Sequence, residues 1–461
     1  MRKFFLVLAI CALATVPLAA QNTDIESLAG LQFNFGNPGA RSLGMGGAFL
    51  GLADDASAAE ANPAGLTILR KPEISIEARN YQEQQLFSTS GTFPDIERTA
   101  FNHYSQRVDA TFGSFVYPWK SFTFGVYYHE PLRNEGAGQV IPQRNQFSGA
   151  VEKNIPNFFL PRNGTPVTKA QCEKVRQDAN DFFACLEFQI LPFLSALSVQ
   201  ERTFGLAGAY SFGKLSVGAT ARYQRFHESA FTFRVTPTFD FSSISVQATS
   251  DVTDQTSKVK DQSDITFAGG IKYTLNDKFS AGAVYKQGAK FDAPTFAANS
   301  DTQFMFVKVA DTKFHIPDVY GVGVSFRPIP VLTLNADAVH VTYSNLVDQF
   351  VSINAAIRAI DKAYKANDVT ELNLGGEYFF AVKVPFALRA GVWRDPAHSI
   401  EFRGPLTTPD AVAAAILYPK GHSQMHESIG AGMAWPRFQI DAAYDRSPHY
   451  RVGSISMVAR F

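Results

Sequence analysis

Beyond residue 20 the chain has no apolar run of the ~18 or more residues that a helix needs to cross a hydrocarbon core, which excludes helical membrane spanning. Charge is scarce too. Only 18% of residues are charged and the formal net charge is zero, so there is no electrostatic footprint for nucleic acid. Cysteine is nearly absent, with 3 in the whole chain. Cys11 follows Ile10 where a lipoprotein signal needs a small residue, and it lies too early. Cys172 and Cys185 remain. In a compartment that permits disulfides they would staple a loop, and otherwise they are two buried thiols. A nucleotide fingerprint is also missing, because Gly44-Met45-Gly46-Gly47 follows a Gly/Pro loop and lacks the full glycine spacing. No cofactor or catalytic residue is expected.

What the chain has in excess is aromatic residues, 41 Phe and 16 Tyr, at a mean hydropathy of -0.07. Arg2 and Lys3 precede an apolar run from Phe4 to Val16 and a small-residue site at Ala19-Ala20, the pattern of a signal peptide over residues 1–20. From residue 73 the chain alternates apolar and polar with period two, as in Phe438, Ile440, Ala442, Tyr444 against Gln439, Asp441, Ala443, Asp445. Fourteen such segments centre near residues 77, 112, 126, 207, 221, 269, 282, 322, 336, 374, 389, 430, 441 and 456. Tight links at Pro118-Trp119-Lys120, Phe212-Gly213-Lys214, Leu275-Asn276-Asp277 and Trp435-Pro436-Arg437 alternate with long loops near 131–199, 229–262, 288–317, 343–368 and 394–422.

Short turns on one rim and long loops on the other predict a 14-stranded antiparallel transmembrane β-barrel over residues 73–461, in the outer membrane of a Gram-negative-type bacterium. Apolar faces end in Tyr210, Tyr223, Tyr273, Tyr285, Tyr378 and Trp435, suited to bilayer interfaces. A terminal Phe461 on an alternating last strand resembles the signal by which outer-membrane barrels are recognised by their assembly machinery. Polar faces carry Arg222, Lys272, Asp337, Glu377, Arg389, Asp441 and Arg460, whose mixed signs do not suit a strongly ion-selective pore.

Residues 21–72 lack the alternation and precede the first strand, so they can enter the barrel from the periplasmic side as a plug. Gly44, Gly46 and Gly47 permit positive φ and close approach, and Asn62-Pro63-Ala64 reads as a turn. Asp54 and Asp55 have no further ligand at the spacing of a calcium loop, so capping of Ala56 to Ala61 or binding of backbone amides is expected rather than a metal.

Ala29-Gly30-Leu31-Gln32, Gly39 to Ala48, Ala53-Asp54-Asp55-Ala56 and Asn62-Pro63-Ala64 together resemble the amino-terminal hatch of the outer-membrane long-chain fatty acid transporter family, FadL/TodX. Here Gln21 to Leu28 precede the Ala-Gly-Leu-Gln run, with which family members nearly begin. The resemblance implies a monomer that passes hydrophobic molecules from apolar outer loops to a pocket beside the hatch and out through a gap in the wall. It also implies that Asn62, Pro63 and Ala64 form the hatch turn, with Gly44, Gly46, Gly47, Asp54 and Asp55 as its packed support. Related barrels serve protein secretion, so a docking partner for exported proteins is the alternative, with a general porin third.

Two loops could meet a greasy substrate. Phe182, Phe183, Phe188, Ile190, Leu191, Phe193 and Leu194 form an outward apolar concentration suited to capture, or else the loop's own small core. Leu346, Phe350, Ile353, Ile357, Ile360 and Tyr364 fall on one helical face, expected to pack on the rim. His426 and Ser428 share a strand face, which a barrel hydrolase would also show, but two ordinary lumenal polar residues are the simpler reading. Transport of long-chain fatty acids or similar hydrophobic molecules by diffusion is the function expected.

Overall fold

The computed structural model describes residues 34–87, 101–140, 157–162, 164–189, 193–240, 245–297, 307–348, 362–408, 411–412, 414–415, 418–448 and 450–461. Fourteen antiparallel strands close into a barrel. They are β1 (Glu73–Phe87), β2 (Phe101–Trp119), β3 (Phe122–Val140), β6 (Phe193–Phe212), β7 (Leu215–Asp240), β8 (Ser245–Asn276) and β9 (Phe279–Lys286), followed by β12 (Val319–Ile329), β13 (Leu332–Val341), β15 (Val369–Phe380), β16 (Phe386–Asp395), β18 (Gln424–Ala434), β19 (Phe438–Arg446) and β20 (Tyr450–Arg460). Each contains one of the fourteen segments read from the alternation. The ring closes where β1 pairs with β20, from Glu73 opposite Arg460. Closure gives every strand of the ring a neighbour on both sides, as hydrocarbon favours because it offers backbone groups no partner.

The period of two sorts the side chains. On β8, Ile265, Phe267, Ile271 and Tyr273 stand exposed on the outside while Thr266 and Lys272 are buried in the lumen. Strands meet at short turns such as Lys120-Ser121 on the rim that also carries Glu73 and Arg460. That rim is periplasmic and the opposite, loop-bearing rim faces out of the cell. Among the described residues no helix is long and apolar enough to cross a membrane.

Two expectations about loops need correction. Much of 131–199 and 229–262 is strand: β3 runs on to Val140, and β7 and β8 pair as far as Asp240 opposite Ser245. Beyond the bilayer both faces of a hairpin meet water, so pairing continues after the apolar alternation that marks it in the sequence has ended. The helical face drawn through Tyr364 also fails at its far end. Leu346 is buried in a short helix (Asn345–Asp348), but Tyr364 lies in β14 (Tyr364–Lys365), paired with β17 (Glu401–Phe402). Packing of the Tyr364 ring on Phe402 and Tyr418, at centroid distances of 5.3 and 5.1 Å, outweighs the local helical spacing. Phe350, Ile353, Ile357 and Ile360 lie outside the described residues.

Further hairpins stand on the outer rim. β10 (Lys290–Ala297) pairs with β11 (Val307–His315). β4 (Asn157–Pro161) pairs with β5 (Cys185–Gln189) and carries the helix Lys169–Ala179 between them. Thr168 and Gln171 close that helix's N-terminus as a capping box, and a disulfide joins Cys172 to Cys185.

Candidate functional site

The hatch fills the periplasmic half of the lumen. Its sequence of small residues gives two short helices, α1 (Ala40–Gly44) and α2 (Ala58–Ala61), and a 3-10 turn (Pro63–Ile68), with almost every residue between them buried. Gly46 and Gly47 have φ of 64° and 76°, a left-handed backbone that side-chain-bearing residues rarely adopt. Small residues on the facing wall complete the fit. A methyl on Gly391 would collide with Gly46, one on Gly375 with Met45, and one on Gly218 with Pro63.

Polar groups then tie the hatch to strands all around the ring. Gly39 N donates to Glu77 on β1 at 2.9 Å, and Ala40 N to Ser456 on β20 at 3.2 Å. Asp337 on β13 accepts from Phe49 N and Leu50 N at 2.6 and 2.8 Å. Asn373 on β15 donates to the Gly46 carbonyl at 2.7 Å, and Lys272 on β8 donates to that of Leu52. Arg41 joins Glu377 at 2.9 Å and Asp54 at 2.5 Å, while Arg389 bridges Glu377 and Asp441 at 2.7 and 2.8 Å. The charges read as lumenal thus mostly fasten the stopper instead of lining an open pore. Arg460 is an exception, paired with Glu73 across β20 and β1.

The individual hatch residues fall into place accordingly. Asn62 accepts from Ala64 N at 3.2 Å, shaping the turn, and its amide donates to the carbonyls of Leu50 and Ile271 at 3.1 and 3.2 Å. Asp54 is met by Arg41 and Arg327, and Asp55 accepts from the Ser57 amide at 2.9 Å. Gly44 stands in helical conformation, where its Cα approaches Gly430 on β18.

Above the hatch the lumen changes character step by step along the inward face of β7. Gly218 abuts Pro63, Thr220 reaches the Ala59 carbonyl, Arg222 meets Glu60, Gln224 bonds to Glu201 and Thr266, and Phe226 opens an apolar stack. Glu60, on α2, is the centre of the polar tier. Tyr127 donates to it at 2.5 Å, Lys286 stands at 3.1 Å, Arg222 at 3.5 Å and His129 at 3.8 Å. Of these only Arg222 stood out in the sequence. Glu60 was the signal missed, a lone acid within a run of alanines that is 4% exposed.

The apolar tier follows directly. Phe226 stacks on Phe314 and Phe291 at 4.5 and 5.0 Å, alongside Leu132, Val199 and Val341, under a cap containing Tyr343, Tyr364, Phe402 and Tyr418. Phe35, just before the hatch helices, stacks on Tyr343 at 6.2 Å, so the amino-terminal segment reaches this tier. His398 also stacks on Tyr343, at 4.0 Å. Burial pushes the His398 imidazole down, but the hydrogen bond and charge of Asp395 at 3.1 Å outweigh burial and raise it above the usual histidine value.

The wall is incomplete beside the polar tier. β2 and β3 pair from Trp119 opposite Phe122 only as far as Phe112 opposite His129. Beyond that point β2 continues against β1 and β3 against β6, with no pairs between β2 and β3 among the described residues. In the β3 and β6 ladder Glu130 and Pro131 together oppose Arg202, a one-residue bulge that bends the strand. Arg133 and Asp109, 2.7 Å apart, span the resulting gap.

Among the outer residues proposed for capture, Phe182 and Phe183 are 63% and 53% exposed, in edge contact at 5.7 Å, with Arg176 over the Phe182 ring at 4.4 Å. The side chains of Phe188, Phe193 and Leu194 lie outside the described set, as do residues Ile190 and Leu191. His426 and Ser428 both face the lumen but do not meet. His426 pairs with Asp445 at 2.8 Å and Ser428 donates to the Gly391 carbonyl at 3.4 Å.

Known structures share this fold. A FadL homologue of Pseudomonas aeruginosa matches with a TM-score of 0.61 at 15% identity, over 93% of this chain and 99% of that one. The toluene transporter TbuX of Ralstonia pickettii matches at 0.54 and 16% identity, over 93% of this chain and 100% of that one. For the Pseudomonas putida toluene transporter TodX the values are 0.52 and 13%, over 93% and 99%. At such identities the likeness concerns the fold. No curated protein matches the sequence. The family described as outer membrane protein transport protein (OMPP1/FadL/TodX) matches residues 193–450, more than half the chain. With its hatched, closed barrel, the chain therefore belongs to the OMPP1/FadL/TodX family of outer-membrane proteins that transport hydrophobic compounds.

Proposed function

We propose that the substrate is a long-chain fatty acid or a closely similar amphiphile, moved by passive diffusion. The observation that carries this reading is the sequence of tiers on one lumenal face. An apolar stack around Phe226 stands directly above two buried cations, Arg222 and Lys286. A long tail and a carboxylate need those two environments in that order, whereas toluene has no charge to offer. Phe182 and Phe183 serve capture, with the disulfide holding their lobe in shape. Asn62, Pro63 and Ala64 set the height of Glu60 below the ligand, with Gly44, Gly46, Gly47, Asp54 and Asp55 anchoring that floor. The exit is lateral, through the gap between β2 and β3, because a floor tied on every side leaves the wall as the open route.

The test is uptake of labelled oleate and of toluene in a deletion strain carrying the intact gene. The proposal expects oleate uptake to be restored above the deletion background. Equal background uptake of both compounds would overturn it and favour a docking role for exported proteins. Restoration of toluene uptake alone would overturn the amphiphile assignment.

A further inference from the structure

A depression on the lipid-facing wall lies apart from transport through the lumen. Outward residues of β8, β9, β12, β13 and β15 come into register as Tyr273, Ala281, Val324, Ala336 and Leu374. One row nearer the outer rim they are Ile271, Ala283, Val322, Ala338 and Leu372. Both rows run large, small, medium, small, large, so the three middle strands are sunk between raised flanks. The rows above and below close the outline. Tyr285 and Tyr320, with ring centroids 4.9 Å apart, and His340 stand on the outer side, and Phe279, Phe326 and Leu334 on the periplasmic side. The depression measures about 630 Å³.

We propose that this depression seats one acyl chain of an outer-membrane lipid in a fixed position. It is continuous with the apolar outer face of the barrel, so the medium that reaches it is hydrocarbon. Left empty there, its lining would forfeit dispersion contacts on one side. Its volume falls within the ~300–1,000 Å³ of small-molecule sites. The outer rim provides polar ends next to the head groups. Tyr285 donates to Asp318 at 3.3 Å, and His340 pairs with Thr370 at 3.0 Å. The floor is stiff because hatch residues back the same strands from within: Leu50 packs on Gly282, and Asp337 holds Phe49 and Leu50.

Native mass spectrometry of the detergent-purified barrel tests the seat. Wild type and Ile429→Phe, a change on a raised outward position of β18, should each retain one lipid through detergent exchange. Ala283→Phe/Ala338→Phe, which fills the floor, should retain none. If the double variant fails to assemble, Ala338→Leu carries the test: less lipid than wild type supports the seat, and equal lipid refutes it. Equal retention in all proteins, or none in wild type, overturns the proposal. So does a wild-type dimer that the filled variant converts to monomers, which would assign the depression to a second copy of the chain.

Discussion

A cross-link between hatch and wall separates a fixed floor from a moving gate. An ideal Cβ on Gly44 stands 3.5 Å from the Ala443 Cβ on β19, within the ~3.5–4.5 Å that a disulfide spans. Gly44 has a helical backbone, so Gly44→Cys with Ala443→Cys should oxidise after a small adjustment by Gly430. The ties in place suggest that such a bond changes little. Among the hydrogen bonds with a charged group, seven already set the scale: Gly39 to Glu77, Arg41 twice to Glu377, Phe49 and Leu50 to Asp337, Lys272 to Leu52, and Lys286 to Glu60. At the lower end of ~1.5 kcal/mol for each such bond, they oppose withdrawal of the hatch by about 10 kcal/mol. At ~1.4 kcal/mol per tenfold, the withdrawn state would hold roughly one molecule in ten million, too few to carry flux. Oleate uptake by the oxidised double variant should therefore stay within about twofold of the two single-cysteine controls, allowing ~0.4 kcal/mol for local adjustment. Collapse of uptake on oxidation, with recovery on reduction that the controls do not show, would refute the fixed floor.

Deleting Pro131 removes the extra residue opposite Arg202, and with it a ladder position that carries no N–H, so β2 and β3 should zip past His129. Oleate uptake should fall at least tenfold while oleate still binds the purified barrel; undiminished uptake would place the exit elsewhere. Glu60→Gln frees Arg222 and Lys286 from the hatch carboxylate, leaving buried charge that a ligand carboxylate can neutralise. Calorimetry should show oleate bound about tenfold more tightly, roughly 1.4 kcal/mol, and unchanged affinity would argue against a head-group site there. The cap over the apolar tier should respond to pH through His398. Its folded pKa is raised above the usual 6.5, so its contribution is fully present below that value and is lost as pH rises through the folded value. Amide exchange around residues 396–402 should quicken across that rise in wild type but not in His398→Gln. The same pH dependence in both proteins would exclude this imidazole.

The alternation of side chains is a local signal, and it was sufficient to find every strand of the wall and to separate the lipid face from the lumen. Composition and glycine placement likewise marked residues before Glu73 as a plug, because a segment so poor in bulky side chains has no core of its own to build. Pro131 drew no reading from the sequence, since its effect depends on which neighbour each half of β3 keeps. The partners themselves are remote: Asn62 bonds to a carbonyl 209 positions away, and Gly39 to a carboxylate on the far side of the hatch sequence. Glu60 gains its meaning only when β3, β7 and β9 bring Tyr127, Arg222 and Lys286 to it. The sequence by itself determined the barrel, its orientation and its stopper, because each follows from periodicity or composition within a short window. Only tertiary structure decided the tiers of the lumen, the opening in the wall and the seat on its outer face, because each arises from residues that ring closure brings side by side.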